Sequence, residues 1–315
     1  MDLGPSVADV AAAAVRIAPH IHHTPVMTSR LLDAMVGANL FFKCENLQRT
    51  GAFKARGAYN AVLQLDDPAS HPGVVTHSSG NHAGALALSA RTRGLAAYIV
   101  MPSNAPASKK VAVQAYGGRV IECAPTLADR ERTAGTIGSA TGAEFIHPYN
   151  NERVIAGQGT AALEFLKDVP DLEVLLVPVG GGGLLAGTAV AVRGHGVKVI
   201  GTEPDGADDA ARSFETGILQ PAGTPLTIAD GLRTALGDIN FALIRAGVDD
   251  ILTVSETGIV RAMRLVWERL KLVIEPSAAV PLGACLEHPE RFAGQRIGII
   301  LSGGNVDLDT LPWNS

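Results

Sequence analysis

Seven short apolar runs, at 39–44, 74–76, 96–101, 119–123, 174–179, 198–202 and 296–301, are each followed by a stretch with helical character. Several of them lie about 20 to 25 residues apart with alanine-rich sequence between, too far for hairpins and well matched to strand, crossover helix and parallel strand. The runs are mostly apolar, and with alanine-rich stretches between them parallel sheets buried on both faces by flanking helices are the natural solution. An α/β fold is therefore expected. The chain can supply the core: 315 residues are 47% hydrophobic and 18% charged, and 35 glycines with 4% aromatics suit many tight strand-to-helix turns. No linker rich in Pro, Ser or charge divides it. A second lobe is expected as an insertion bounded by short loops near 65–73 and 148–153, which gives a large domain of 1–65 with 152–315 and a small domain of 66–151.

A net charge of −5 without a basic patch argues against a nucleic-acid partner. Cys44, Cys123 and Cys285 are odd in number and dispersed, so neither a disulfide framework nor a cysteine metal knuckle is expected, and a reducing, cytoplasmic setting fits. The N-terminal region lacks a basic segment followed by a long apolar run, and Ala11 to Ala14 read as part of a surface helix. No run of eighteen apolar residues predicts a membrane span.

Lys54 lies in Glu45-Asn-Leu-Gln-Arg-Thr-Gly-Ala-Phe-Lys-Ala-Arg-Gly57. Thr50-Gly51 offers a turn, and Phe53, Ala55, Gly57 and Ala58 surround the amine with small or apolar groups. Lys54 should open a helix facing inward, where burial lowers its pKa. Only a primary amine forms an exchangeable Schiff base with a cofactor aldehyde. The plain alternative is a solvated surface lysine.

Three further blocks carry chemistry. Ser78-Ser79-Gly80-Asn81-His82-Ala83-Gly84 follows a strand and precedes a helix, so its amides and hydroxyls can hold a carboxylate; the plain alternative is a serine N-cap. Gly180, Gly181, Gly182 and Gly183 stand between a strand and an apolar helix, a nest for a phosphate dianion. It is no Walker loop, since no Lys-Ser or Lys-Thr follows. A nicotinamide fingerprint remains a rival because Glu203 follows about twenty residues later, although the glycines are contiguous. Ser302, in Leu301-Ser302-Gly303-Gly304-Asn305, sits at a strand's carboxyl end, where open α/β sheets place ligands, unless it only closes an ordinary glycine turn.

In this order and spacing the blocks resemble the fold type II pyridoxal-phosphate enzymes, tryptophan synthase beta-like, and within them the threonine/serine dehydratase and serine racemase family. The resemblance spans His23-Thr24-Pro25 to Asn305. It implies two open, twisted parallel-sheet lobes with pyridoxal 5'-phosphate in the cleft between them. It assigns Lys54 the imine and proton transfer on one face of the cofactor, and Ser79 the opposite face. Phe53 would pack against the ring, Asn81 would contact the ring oxygen, and Ser302 the pyridine nitrogen. Gly180 to Gly183 with the Leu184 amide would cradle the phosphate. Ser78, Ser79, Gly80 and His82 would line the substrate site. A serine at the pyridine nitrogen holds it protonated less strongly than an aspartate would, which favours prompt loss of a β substituent over a long-lived carbanion.

The resemblance also implies a divalent cation, Mg²⁺, Ca²⁺ or Mn²⁺, on Glu203, the Ala207 carbonyl and Asp209. These are hard oxygen ligands, although Gly201-Thr-Glu-Pro-Asp-Gly-Ala-Asp-Asp209 is otherwise an acidic solvated turn. Arg130 is implied to reach the substrate cleft, where a guanidinium could bind a second carboxylate, unless Asp129-Arg130-Glu131 is only a charged helix surface. His147 neighbours the same region. Tyr149, placed in the substrate site, and Ala235 both depart from the animal racemases, which carry asparagine and serine there. The thirteen residues after Ser302 leave no room for an appended regulatory domain, so feedback through one is not expected. The leading expectation is a threonine/serine ammonia-lyase acting on a small amino acid, as a homodimer. A serine racemase and a 3-hydroxyaspartate dehydratase are same-fold rivals, and a cofactor-free sensor is the rival of another class.

Overall fold

The computed structural model describes residues 4–313. One sheet has six strands in the order β1 (Val26–Thr28), β2 (Asn39–Lys43), β10 (Arg296–Ile300), β7 (Val174–Pro178), β8 (Lys198–Pro204) and β9 (Asp250–Val254). The other has four: β5 (Arg119–Cys123), β4 (Ala97–Pro102), β3 (Val74–His77) and β6 (Glu144–Phe145). Every pairing is parallel except that of β1 with β2. The four-stranded sheet is contiguous in sequence and inserted between β2 and β7 of the larger one. All seven expected strands form, within two residues at their ends. Three more exist: β1 and β6 are three and two residues long, and β9 is an edge strand interrupted by exposed Thr253. None carries a continuous apolar run.

The helices that cover these sheets follow from local sequence. Helix α1 (Val7–Ile17) begins in a capping box between Ser6 and Asp9, and Val10, Ala13 and Ile17 form its buried stripe against α7 (Glu152–Asp168) and α8 (Gly183–Ala191). Two apolar clusters lie on the large sheet, one built from Phe42, Ile297 and α12 (Pro276–Glu287), the other from Leu175, Val177 and α7. A third packs α4 (Asn81–Thr92) on the small sheet. Among the described residues no helix is long and apolar enough to cross a membrane.

Helix α3 (Lys54–Val62) packs on both α7 and α4 and so sits between the two sheets. A Cβ on Gly157 of α7 would lie 2.6 Å from the Gly57 Cα, so the two backbones touch. The start of α3 is pinned by buried charge. Arg56, fully buried, donates to both oxygens of Glu45 at 2.7 Å and to Glu164, while buried Lys43 bonds Glu164 and Asp168 at 2.8 Å each. Thr24 closes the cluster by donating to Glu45 Oε1 at 2.6 Å. This positions the residue two places before Arg56, which is Lys54.

Candidate active site

Lys54 is the first residue of α3, half-buried, and its Nζ donates to the Pro148 carbonyl at 2.9 Å. Burial lowers the amine to about 8, against a small opposing pull from Glu275. This is not a solvated surface lysine. Its Nζ stands 5.1 Å from the centre of the Phe53 ring. The preceding residues are stitched to the end of β10: the Phe53 amide donates to the Ser302 carbonyl at 3.0 Å, and Ala52 bridges Gly303. Ser302 is buried beside the lysine segment rather than in a free turn.

The glycine loop joins β7 to α8. Gly182 has φ +88° and serves as an N-cap without a side-chain bond. A Cβ on Gly180 would sit 2.8 Å from the Leu232 Cα, one on Gly182 2.7 Å from Leu236 Cδ2, and one on Gly181 would enter the Tyr149 ring. Only glycine fits. Asn240 donates to the Gly181 carbonyl at 2.6 Å and to the Tyr149 carbonyl at 3.1 Å, holding the loop open-handed. The first amides of an uncapped helix followed by buried Leu184 make a cradle suited to a phosphate dianion. The nicotinamide rival loses its acid: Glu203 is fully buried and accepts the Ala210 and Ala211 amides at 3.1 and 2.9 Å.

Helix α4 starts at Asn81 with Gly80 as N-cap and no side-chain bond. Ser78 Oγ instead accepts the Gly80 amide at 3.3 Å, so a plain serine cap is not what is built, and half-buried Ser79 stands in the same loop. His82 is buried, with neither ring nitrogen partnered among the described residues. Burial, and then Lys54, push its pKa well below the usual range, so it is neutral. A buried, neutral imidazole without a close hydrogen-bond partner, beside an amine, fits a polar cofactor. Asn81 donates to Glu275 Oε1 at 2.9 Å and accepts from Asn305 Nδ2 at 2.9 Å.

Arg130 lies on α6 (Leu127–Thr141), half-buried, and its Nε finds no partner among the described residues. Its charge is felt by His77 and Tyr149. Its neighbours behave differently: Asp129 is taken by Thr126 and Arg132, and Glu131 is exposed. His77 and His147 stand edge to face with centres 5.9 Å apart, and His147 and Tyr149 4.6 Å apart. Burial and the neighbouring cations bring His147 to about 4. The Tyr149 ring closes on Gly181 and its backbone and Cβ on Gly183, so Tyr149 walls the glycine loop.

Glu203 and Asp209 are both buried, whereas Asp205 is exposed and Asp208 pairs with Arg212 at 2.9 Å. Burial raises Glu203 to about 9 and Asp209 to about 6. Two carboxyls shielded from water with buried Ala207 between them fit a hard divalent cation. A second cluster, His23 with Glu164 and Asp168, is already neutralised by Lys43.

Several site groups have no strong signal in the sequence. Glu275 is buried and raised to about 8, by burial and then by Asp230, yet in sequence it is one glutamate before Pro276. The single hint is a charge after the apolar run Leu272-Val273-Ile274. The Pro148 carbonyl has no signal at all.

Comparison with known proteins agrees with this geometry. A family pattern described as pyridoxal-phosphate dependent enzyme matches residues 17–303. The chain is 49% identical to a beta-hydroxyaspartate dehydratase of Paracoccus denitrificans, covering 98% of this chain and 99% of that protein. It is 48% identical to a serine racemase of Arabidopsis thaliana over 95% and 92% of the two chains. The solved structure of maize serine racemase superposes with a TM-score of 0.95 at 47% identity, covering 99% of this chain and 96% of that one.

Proposed function

The chain belongs to the pyridoxal-phosphate dependent enzyme family, and from that premise we propose that it is an ammonia-lyase that removes water and then ammonia from a 3-hydroxyamino acid, with 3-hydroxyaspartate preferred over serine and threonine. The observation that carries the preference is Arg130, a half-buried cation with a spare donor beside His77 and Tyr149, next to the Ser78 loop. One substrate carboxylate can take the uncapped start of α4, and a second can take Arg130. Oxaloacetate and ammonia would be the products. Its relative in Paracoccus, named for hydroxyaspartate, supports the same choice. Serine racemisation is the second reading, favoured by half-buried Ser79 in the loop before α4 and by the plant racemases among the relatives.

When bound, pyridoxal phosphate supplies an electron sink for the bond-breaking steps. Lys54 would carry the cofactor and act as base toward the substrate α proton. An amine near 8 is about a tenth neutral at pH 7, far more than an ordinary lysine, and the Pro148 carbonyl orients it. Gly180 to Gly183 and the Leu184 amide would hold the phosphate, Ser302 the pyridine nitrogen, Asn81 the ring oxygen, and Phe53 the ring itself. Ser78, Ser79, Gly80 and His82 would fix the substrate carboxylate, with neutral His82 adding a hydrogen bond without charge. Glu203, the Ala207 carbonyl and Asp209 would hold a structural Mg²⁺ or similar ion. Domains of 1–65 with 152–315 and of 66–151, a homodimer and a cytoplasmic setting belong to the same reading; the three free cysteines suit the last.

A product screen decides it. Hydroxyaspartate isomers, L-serine and L-threonine are offered with and without Mg²⁺, and keto acid, ammonia and D-serine are measured. Brisk oxaloacetate with slow pyruvate is expected, and Lys54→Ala should lower turnover by about 10³-fold or more and abolish the yellow colour. Rapid D-serine formation without oxaloacetate would move the assignment to the racemases.

A further inference from the structure

Asn305 has two amide hydrogens and both are committed. Its Nδ2 donates to the Thr50 carbonyl at 2.7 Å and to Asn81 Oδ1 at 2.9 Å. A backbone carbonyl can only accept, so Thr50 dictates which end of the Asn305 amide faces it. That choice passes down the line. With Oδ1 turned to Asn305, Asn81 must turn Nδ2 to Glu275 Oε1, 2.9 Å away. An ionised Glu275 can only accept there, and a neutral one still accepts through its carbonyl oxygen. One Nδ2 hydrogen of Asn81 is left over.

The backbone is moulded around this line. Thr50 has φ +60°, a left-handed conformation unusual for a β-branched residue, and its hydroxyl is buried without a partner. Such an outlier persists only where its surroundings impose it. A Cβ on Gly51 would lie 2.5 Å from Asn305 Oδ1, and one on Gly303 would lie 2.6 Å from Glu275 Oε1 and 3.1 Å from Asn81 Nδ2. Bare glycines on both sides make room for three polar side chains. The Glu275 amide donates to the Gly303 carbonyl at 3.0 Å, fixing the far end to the Ser302 loop.

We propose that the Thr50 carbonyl, Asn305 and Glu275 form an orientation lock on Asn81, so that its amide presents an N–H, never its oxygen, to the cofactor's ring oxygen. The inference rests on the pyridoxal-phosphate reading and on Asn81 as the ring-oxygen partner. Thr50, Asn305 and Glu275 are positioning residues that act through Asn81. A donor favours the ionised ring oxygen, and with it the visible, yellow absorbance, whereas an acceptor would favour the neutral form that absorbs in the near ultraviolet.

Asn305→Asp tests the lock, because a carboxylate there accepts from Asn81 and turns its amide over. With saturating pyridoxal phosphate, the ratio of visible to near-ultraviolet absorbance should fall about tenfold, and the cofactor should dissociate more readily. Glu275→Gln, which can still accept, should keep the parent ratio within about twofold, while Glu275→Leu should lower it as Asn305→Asp does. This second pair reads the lock from its other end if Asn305→Asp does not fold. Asn305→Asp and Glu275→Leu proteins that keep native circular dichroism and the parent absorbance ratio, whatever their melting temperature, overturn the lock alone. A parent protein that takes up no pyridoxal phosphate overturns the assignment of function and the lock together.

Discussion

An amine whose hydrogen bond among the described residues goes to a backbone carbonyl is easily given a new bond, because no carboxylate pairs with it directly. The Lys54 amine, lowered to about 8 by burial, is in that condition. Its neutral, attacking form increases as pH rises and is nearly complete a unit above that value, whereas an ordinary lysine keeps gaining to beyond pH 10. The rate at which cofactor-free protein turns yellow on adding pyridoxal phosphate should therefore rise with pH and level off near pH 9, as stopped-flow absorbance can measure. Buried Glu203 and Asp209, both raised by burial, are the groups proposed to hold a divalent cation. Mg²⁺ should raise the melting temperature by a few degrees in scanning calorimetry, and Glu203→Gln should abolish that shift. Lys54, Ser302 and the acidic pair were legible because each combines a rare chemical requirement with an informative neighbourhood. Glu275 and the Pro148 carbonyl were not, since the first becomes special only when Asn81 from a distant helix meets it, and the second is present in every residue.

Among elements, β5 could be read from its spacing although it is a partly exposed edge strand, and the other legible strands are the interior ones of each sheet. Their apolar runs are dictated by helices above and below, whereas β1, β6 and β9 at the sheet edges answer to fewer neighbours and need no such run. The glycine loop was legible for the related reason that close packing by Tyr149, Leu232 and Leu236 admits no side chain. The charge cluster under α3 was hidden, because Lys43, Arg56 and Glu164 look like scattered surface charges until α3 and α7 touch. Burial alone would raise Glu164, but Arg56 and Lys43 override it and bring the carboxyl to about 2. A folded value below the ordinary 4.5 means a contribution complete above about pH 5 and lost as pH falls through about 2, worth on the order of 3 kcal/mol at neutrality. Glu164→Gln should cost about that much in urea unfolding at pH 7 and less than about half of it at pH 3.

At the scale of the molecule, the two sheets are tied across the cleft by few polar contacts. Lys109 on α5 (Ala107–Ala115) bonds Asp230 at 2.8 Å, and both side chains are partly exposed. Such a pair adds little to stability. It can still bias how often the cleft is shut, because nothing else need change when it breaks. Lys109→Ala should leave the melting temperature within about a degree, raise KM several-fold with a smaller change in kcat, and remove much of the dependence of KM on salt, all measurable by steady-state kinetics. The bond from Lys54 to Pro148 has a different consequence. Pro148 lies where the chain returns from β6 to α7, on one of the two passages between the sheets, and α3 follows the other partner across the gap. The reactive group and the joint are thus one mechanical part. The amine's acceptor is borrowed from a connection between the sheets, so a change of backbone at Pro148 would reach the reactive group through a single hydrogen bond.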